Sequence, residues 1–489
     1  MKSPIFDSFN ENRSKSGNND ICINLFPEKI LDGKAQPTIN LLLGRPGLTA
    51  PLCTIGTGPV RGMFSSNNGL LYVVSGNGLY SVNTSWSSTF IGTIGSLTGP
   101  VSIIESPTQI LVVDGTGGWC WNFQTSTFSQ VIPNAQTSDT NPNTAIYQDG
   151  FGIVNSGGTN QIYQSNYNDL STFAQAIGGG GSTANNAYVQ SNPKNVLAMY
   201  DLNQEAWIFK KDATEIWINQ GNAGFAFVQL QGVHLPVGIL APASIARVGD
   251  SILWLGASDT GEDLVYQSEG YHYKNITTPY IAAQIASYPV DTDAIAYSYQ
   301  MEGHFFYVIT FPTQGVTWAY DATTGKWTQR AVWNNGTYQR EIPNCHVLYS
   351  GTHAVGDYQN GNIYALSNGV YTDNGIPIRW QRSWDAMPES LPKKSVSFDS
   401  LQIMLETGIT VPVGTNPQID LRFSDDGGYT WNGPFQMPAG QTGQTTWRAI
   451  QNRLGSTSLT RGMERVWEIS GNDPYSVKIT GAEWEGGPA

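Results

Sequence analysis

One recurring phrase constrains the fold of this chain more than any other feature. Gly58-Pro59-Val60 opens a run that reaches Leu71-Tyr72-Val73-Val74 and then Gly78-Leu79-Tyr80-Ser81-Val82. Gly99-Pro100-Val101 opens a second run, 41 residues on, that reaches Ile110-Leu111-Val112-Val113 and then Gly118-Trp119-Cys120-Trp121. That offset is the length of a small four-stranded antiparallel sheet, and of one blade of a β-propeller. An aromatic-centred strand then recurs at Tyr80, Trp121, Tyr163, Trp217, Tyr266, Tyr320 and Tyr364, with spacings of 41, 42, 54, 49, 54 and 44 residues. Seven centres predict six or seven blades over residues 51–390, with insertions filling the longer gaps. Each small sheet has two apolar faces and cannot fold alone; radial stacking buries both and shields the edges.

Composition agrees with an all-β chain. Of 489 residues only 13 % are charged and 11 % are aromatic, with 54 glycines and 26 prolines. Short strands and tight turns use such a mix, whereas long solvated helices need far more Glu, Lys and Arg. The formal charge is −13, and no basic run exceeds the pairs Lys210-Lys211 and Lys393-Lys394. Gripping nucleic acid depends on Lys and Arg releasing phosphate counterions, so that class is disfavoured; a surface that DNA slides past suits the acidic balance. Cys22, Cys53, Cys120 and Cys345 are far apart and read as scattered thiols. Met1 to Asn10 has neither the charged nor the apolar region of a secretory signal, and the apolar stretch 233–246 is broken by Pro236, Gly238 and Pro242.

Outside the propeller the chain reads as two further parts. Residues 1–50 form an extended N-terminal arm: a polar stretch from Asn10 to Asp20, then the alternating Ile21-Cys22-Ile23-Asn24-Leu25-Phe26-Pro27-Glu28, then Leu41-Leu42-Leu43-Gly44-Arg45-Pro46-Gly47 closing in a Pro-Gly turn. Such a piece cannot bury itself and is expected along another domain or a neighbouring subunit. Pro388 and Pro392 mark a boundary, and residues 391–489 carry alternating strands that predict a β-sandwich. Within the propeller, Trp318 to Trp327 reads as a hairpin turning at Asp321, Thr324 and Gly325, with Tyr320 and Trp327 paired across it. The polar stretch 165–192, holding Gly178-Gly179-Gly180-Gly181, reads as a mobile inserted loop.

Chemistry-bearing patterns are few. Ser424-Asp425-Asp426-Gly427-Gly428-Tyr429-Thr430-Trp431 fits Ser-x-Asp-x-Gly-x-Thr-Trp, the Asp-box hairpin of sialidases and other carbohydrate-active propellers. There Asp426 bonds turn amides, Gly428 takes a positive φ and Trp431 packs beneath, a structural role. The histidines (234, 272, 304, 346 and 353) show no helical metal spacing, and His346 and His353 beside Cys345 are a weak pattern. Carboxylate pairs at Asp425-Asp426, Glu262-Asp263 and Asp291-x-Asp293 could serve glycoside hydrolysis but fall where turns are expected. No phosphate loop, nucleophile elbow or dinucleotide fingerprint is present, and neither a cofactor nor a metal is expected.

Two groups of motifs resemble a known family. Cys22 to Glu28 (with Asn24, Phe26, Pro27 and Glu28) followed by Leu43-Gly44-Arg45-Pro46-Gly47-Leu48 is similar to the opening of the packaged-DNA stabilisation, or tail hub and nozzle, proteins of short-tailed bacteriophages. Leu421 to Gly428, Trp447-Arg448, Asn452-Arg453-Leu454-Gly455, Arg461-Gly462, Val466 to Ser470 and Asp473-Pro474-Tyr475 resemble the family's ending. The resemblance implies a virion protein and not an enzyme. It implies a six-fold ring below the portal and its adaptor that extends the DNA channel, retains the genome, and carries fibres or tailspikes and in some phages a needle. Double-stranded DNA would pass through without specific binding, the chain would insert in no membrane, and assembly would occur in the host cytoplasm. Asn24, Phe26, Pro27, Glu28, Arg45, Pro46, Gly47, Ser424, Asp426, Gly428, Thr430, Trp431, Arg453, Leu454 and Gly455 are then fold and assembly determinants. A receptor- or glycan-binding propeller with polysaccharide-degrading activity is the alternative.

Overall fold

The computed structural model describes residues 1–9, 20–30, 38–133, 141–177, 181–190, 192–257, 261, 263–386, 396–408, 410–457 and 465–488. Among these the chain forms seven successive antiparallel sheets, here blades 1 to 7, spanning 60–93, 102–132, 145–188, 198–229, 246–275, 295–330 and 343–367. All seven aromatic centres lie in the third strand of their blade: Tyr80, Trp121, Tyr163, Trp217, Tyr266, Tyr320 and Tyr364. The expected hairpin is present, with Tyr320 opposite Trp327 and their rings 5.1 Å apart.

Each blade shares an apolar core with the next, which is how faces that no single sheet can bury leave water. The cores between blades 1 and 2, 2 and 3, 3 and 4, 4 and 5, 5 and 6, and 6 and 7 follow one another along the chain. A seventh joins the ends: Val60, Leu71 and Val73 of blade 1 pack with Tyr349, Ala354 and Ile363 of blade 7. The Tyr349 hydroxyl donates to Gly69 O at 2.9 Å across that seam. Blade 7 contributes only three strands of its own. Its fourth edge is made by Gly47–Leu48 and Cys53–Thr54, both paired antiparallel with Asn362–Ser367, so the ring is fastened by chain from before blade 1. Between blades 5 and 6 the connection holds one helix, Pro279–Ser287, capped by Thr278 and burying Ile281 and Ile285 in the core between those two blades.

The remaining strands form a two-layer sandwich. One layer orders Leu25–Ile30, Thr38–Gly44, Lys478–Pro488, Val396–Leu405 and Trp447–Ser456; the other orders Ile21–Ile23, Trp380–Asp385, Val466–Gly471, Gln418–Ser424 and Asn432–Pro438. The second layer is continuous with blade 6, because Ile21–Ile23 runs parallel to Lys326–Arg330 on one side and antiparallel to Trp380–Asp385 on the other. Residues 1–9 join the first layer: Met1 and Ser3 exchange backbone bonds with Trp484 and Ala482, and Ile5 and Phe9 enter the sandwich core. The Arg382 guanidinium donates to Ile5 O and Ser8 O and covers the Phe9 ring.

Of the two placements expected for the arm, its described residues take the first: 1–9, 20–30 and 38–44 are built into the sandwich of their own chain. Two expectations need correction. The sandwich starts earlier than residue 391, at Trp380–Asp385; Pro388 and Pro392 lie outside the described residues. The stretch 165–192 is not one loop. Ala174–Ile177 and Gly181–Ala184 pair as a hairpin, and Asn186–Tyr188 is the outer strand of blade 3; Gly178, Gly179 and Gly180 lie outside the described residues.

Replacing Ile5 by alanine is expected to lower the unfolding free energy by about 3 kcal/mol, the usual cost of emptying a fully buried aliphatic site. Denaturant unfolding followed by tryptophan fluorescence measures it. A loss below about 0.5 kcal/mol, typical of surface positions, would place residues 1–9 outside the core.

Candidate functional site at the junction of propeller and sandwich

The N-terminal motif residues converge where the two domains meet. Asn24 follows strand Ile21–Ile23 with φ at 58°, a left-handed conformation that asparagine tolerates better than most residues. Its side-chain amide donates to Ala331 O at 2.8 Å and Arg379 O at 2.7 Å, and its Oδ1 accepts from Ala331 N and Arg45 Nε. Blade 6, the lead-in to the sandwich and the Arg45 turn are thus tied through one side chain.

Arg45 is buried beneath that contact. Nη1 and Nη2 reach the Asp373 carboxylate at 3.1 and 2.6 Å, and Nη1 lies 3.5 Å from Glu341 Oε1. Glu341 also faces Arg330 at 3.9 Å and accepts from the Tyr297 hydroxyl at 3.3 Å, while Arg330 donates to the Tyr299 hydroxyl at 2.5 Å. Burial works against the Arg45 charge, but Asp373 and then Glu341 outweigh it and hold its pKa above the usual value. Arg330 is likewise raised, with burial opposed by Tyr299 and Glu341. Gly47 follows where backbone approaches backbone: a Cβ there would lie 2.4 Å from Val370 O. Pro27 and Glu28 lie in the edge strand of the first layer, opposite Leu42 and Leu41. Phe26 sets its ring edgewise on His304 and Phe306, at 5.0 and 5.3 Å. His304 Nδ1 is 2.8 Å from Asp321; burial lowers its pKa, but the Asp321 bond, the Asp321 charge and then Glu28 and Glu302 raise it overall.

The C-terminal motif residues occupy the sandwich away from this junction. In the Asp-box turn Asp426 accepts from Tyr429 N, Thr430 N, Thr430 Oγ1 and Ser424 Oγ, which pull its pKa down to about 2. Gly428 has φ at 85°. Trp431 does not pack beneath the turn as expected; it is half-buried against the Arg422 guanidinium at 4.5 Å, itself paired with Glu468. Arg453 and Gly455 both take positive φ around the buried Leu454. Arg465 links the two motifs, gripping Asp425 at 2.6 and 2.8 Å and donating to Leu454 O.

The other candidates assemble no catalytic geometry among the described residues. Asp425 is held by Arg465, and Asp293 caps Thr313. Asp263 has its pKa raised by burial and by neighbouring Asp291; Glu262 lies outside the described residues. His346 Nε2 and His353 Nδ1 do meet, 3.0 Å apart, and burial, then the neighbouring His353, pushes His346 down to about 3. Among the described residues no cluster of three or more His, Cys, Asp or Glu is placed to hold a metal. Sequence reasoning passed over Asp373, Glu341, Arg330 and Arg382. Asp373 and Arg330 carried one signal, a lone charge among uncharged neighbours, whereas Glu341 beside Arg340 and Arg382 between Arg379 and Asp385 carried none.

The fold and this junction define a seven-bladed propeller locked to a sandwich by buried ions. The model of the phage stabilisation family, described as bacteriophage P22 Gp10, beta-propeller, matches residues 35–371. The chain therefore belongs to that family and is a structural phage protein, a component of the virion. The match takes in the propeller and the Arg45 turn and ends before the C-terminal motifs. No curated protein matches. Among solved structures the chain is similar to the Neurospora crassa Pan2 WD40 domain (10 % identity, 67 % of this chain and 95 % of that one, TM-score 0.41). It is also similar to PorZ of Porphyromonas gingivalis, a type-IX secretion component (11 %, 70 % and 44 %, 0.39), and to the extracellular domain of the putative hybrid two-component system BT4673 of B. thetaiotaomicron (11 %, 89 % and 60 %, 0.41).

Two outcomes follow from the junction. Arg45→Met leaves Glu341 and Asp373 short of a buried counter-charge and is expected to cost about 3–5 kcal/mol; adding Asp373→Asn should recover part of it, and additive losses in the double variant would sink the pairing. His304 contributes in a defined pH window. Its folded pKa lies above its unfolded value, so its stabilisation is full below about pH 6.5 and fades as pH rises through the folded value. His304→Gln should flatten that slope in unfolding curves taken across pH.

Proposed function

We propose that this protein is the tail nozzle of a short-tailed phage, forming a six-fold ring on the portal adaptor that continues the DNA channel, retains the packaged genome and conducts it at ejection. Membership of the phage stabilisation family carries this reading. Two physical features support it. A conduit under load needs domains that do not shift against each other, and the shared sheet and the Arg45 network join propeller to sandwich over both hydrogen bonds and charge. A wall facing pressurised DNA should repel phosphate, and a chain of net charge −13 without a basic run does so.

On this reading the partners are further copies of the chain, the adaptor, and fibre or tailspike proteins, and a needle or plug in some phages. No enzymatic step is assigned to it, and double-stranded DNA passes without specific contact. Co-expression of the full chain with portal and adaptor, imaged by electron microscopy, tests the proposal. Six copies around an axial opening are expected. A chain that stays single on the assembled portal, or that cleaves capsular polysaccharide on its own, would reverse it in favour of a glycan-binding propeller.

A further inference from the structure

Charge is almost absent from one sector of the propeller. Between Arg45 and Asp139 the only charged residues are Arg61, Glu105 and Asp114, in a chain that is 13 % charged. All three are turned to internal use. Arg61 donates to the carbonyls of Gly76, Ser96, Thr98 and Gly99. Glu105 accepts from the Ser66 hydroxyl and the Asn67 amide, and Asp114 from Ser96, Thr116 and Gly117. Blades 1 and 2 thus expose no cation, and their one partly exposed charge is the hydrogen-bonded Glu105 carboxylate.

Their outer edges are also unlike the others. An open edge strand invites pairing, and proteins blunt it by cover, shortness or charge. The outer strand of blade 6 is covered by Ile21–Ile23, and the third strand of blade 7 by Cys53–Thr54. Blades 3 and 4 end in three-residue strands, Asn186–Tyr188 and Phe227–Gln229, and blade 5 ends in His272–Asn275, which carries Lys274. Blades 1 and 2 end in six-residue strands without a charge, Ser88–Thr93 and Thr127–Ile132, each with one register irregularity and neither paired to a further strand among the described residues. The two form one rim, since a Cβ on Gly92 would lie 2.2 Å from the Phe128 ring. Phe90 stands on it 56 % exposed, and Leu97, in the connection that leaves Ser88–Thr93, is 63 % exposed.

We propose that this rim is the face through which one copy of the chain meets the next, an inference that rests on the ring reading above. Charge selects the occupant. A closed ring joins two different faces, so this rim meets another face of the next copy; two copies of net charge −13 repel each other less where one side brings little charge, whereas nucleic acid or a strongly charged foreign partner would find little here to read. Strand edge, small polar side chains and the Phe90 and Leu97 side chains supply backbone hydrogen bonds and apolar area without burying an ion.

The test uses the full chain and Phe90→Asp, with Tyr273→Asp on the blade 5 rim as control, followed by light scattering at rising concentration and by thermal unfolding. Both positions are exposed, so equal melting temperatures are expected, with assembly of Phe90→Asp weakened at least about 100-fold, the order of cost of a buried unpaired charge. Tyr273→Asp should assemble as wild type, and added salt should leave wild-type assembly unchanged or stronger. A photo-crosslinking residue at position 90 should give an adduct of twice the chain mass. Wild-type assembly that Phe90→Asp does not weaken, or a crosslink to a different protein only, overturns the rim while leaving the ring reading intact. A wild type that stays single at every concentration and on its portal partners removes both.

Discussion

The guanidinium of Arg45 is the point on which the two-domain arrangement depends. A charge so far from water must be met in place, and the groups that meet it come from distant parts of the chain: Asn24 before it, Glu341 between blades 6 and 7, Asp373 after blade 7. Buried ion pairs add little net stability compared with apolar packing, but they punish every arrangement that leaves one member alone. The network therefore acts less as glue than as a gauge. It is satisfied only when the ring is complete, the Ile21–Ile23 strand is seated and the Gly47 turn has passed under Val370. Asn24 adds the backbone side of the same condition, because Ala331 and Arg379 present carbonyls to its amide only in that register.

A second economy lies in how the N-terminal segment is spent. A propeller of consecutive blades leaves one open seam and a row of outer edges. Here Cys53–Thr54 fastens the seam, and Ile21–Ile23 covers the edge of blade 6 while starting the sandwich. One stretch of chain thus removes two edges and attaches a domain. The same allocation leaves blades 1 to 5 uncovered, and the chain treats them unequally, blunting three by shortness or charge and leaving two long and neutral.

Much of this was legible before the structure, and the division follows from range. The blades could be read because their signal is local: each third strand needs a large side chain to fill the space between neighbouring sheets, so Tyr or Trp recurs at blade length, and all seven marked positions fall in that strand. The Asp-box turn could be read for the same reason, its bonds lying within seven residues. What could not be read depends on pairing between remote segments. Strand Trp380–Asp385 precedes Pro388 and Pro392, which marked the domain boundary, and only its pairing with Val466–Gly471 assigns it to the sandwich. His346 and His353 look unrelated at seven residues until the hairpin register sets Leu348 against His353 and His346 against Val355, leaving the rings as diagonal neighbours. The motif residues were noticed as a group, but the partners that give Asn24 and Arg45 their meaning are near or more than three hundred residues away and carry no local mark.

The uneven placement of charge joins these observations. If the negative charge were spread evenly, every face would repel a copy as strongly as it repels phosphate, and a ring around DNA would work against itself. In the ring proposed above, tying the charges of blades 1 and 2 into hydrogen bonds would separate the two demands, with contact falling to a sector of little charge that shape and backbone polarity can specify and repulsion to the remaining surface. Such a contact draws little of its strength from ions and so holds across changes of salt. The low overall charge of the chain is then not uniform along the sequence but the average of an acidic remainder and a sector with only three charged residues.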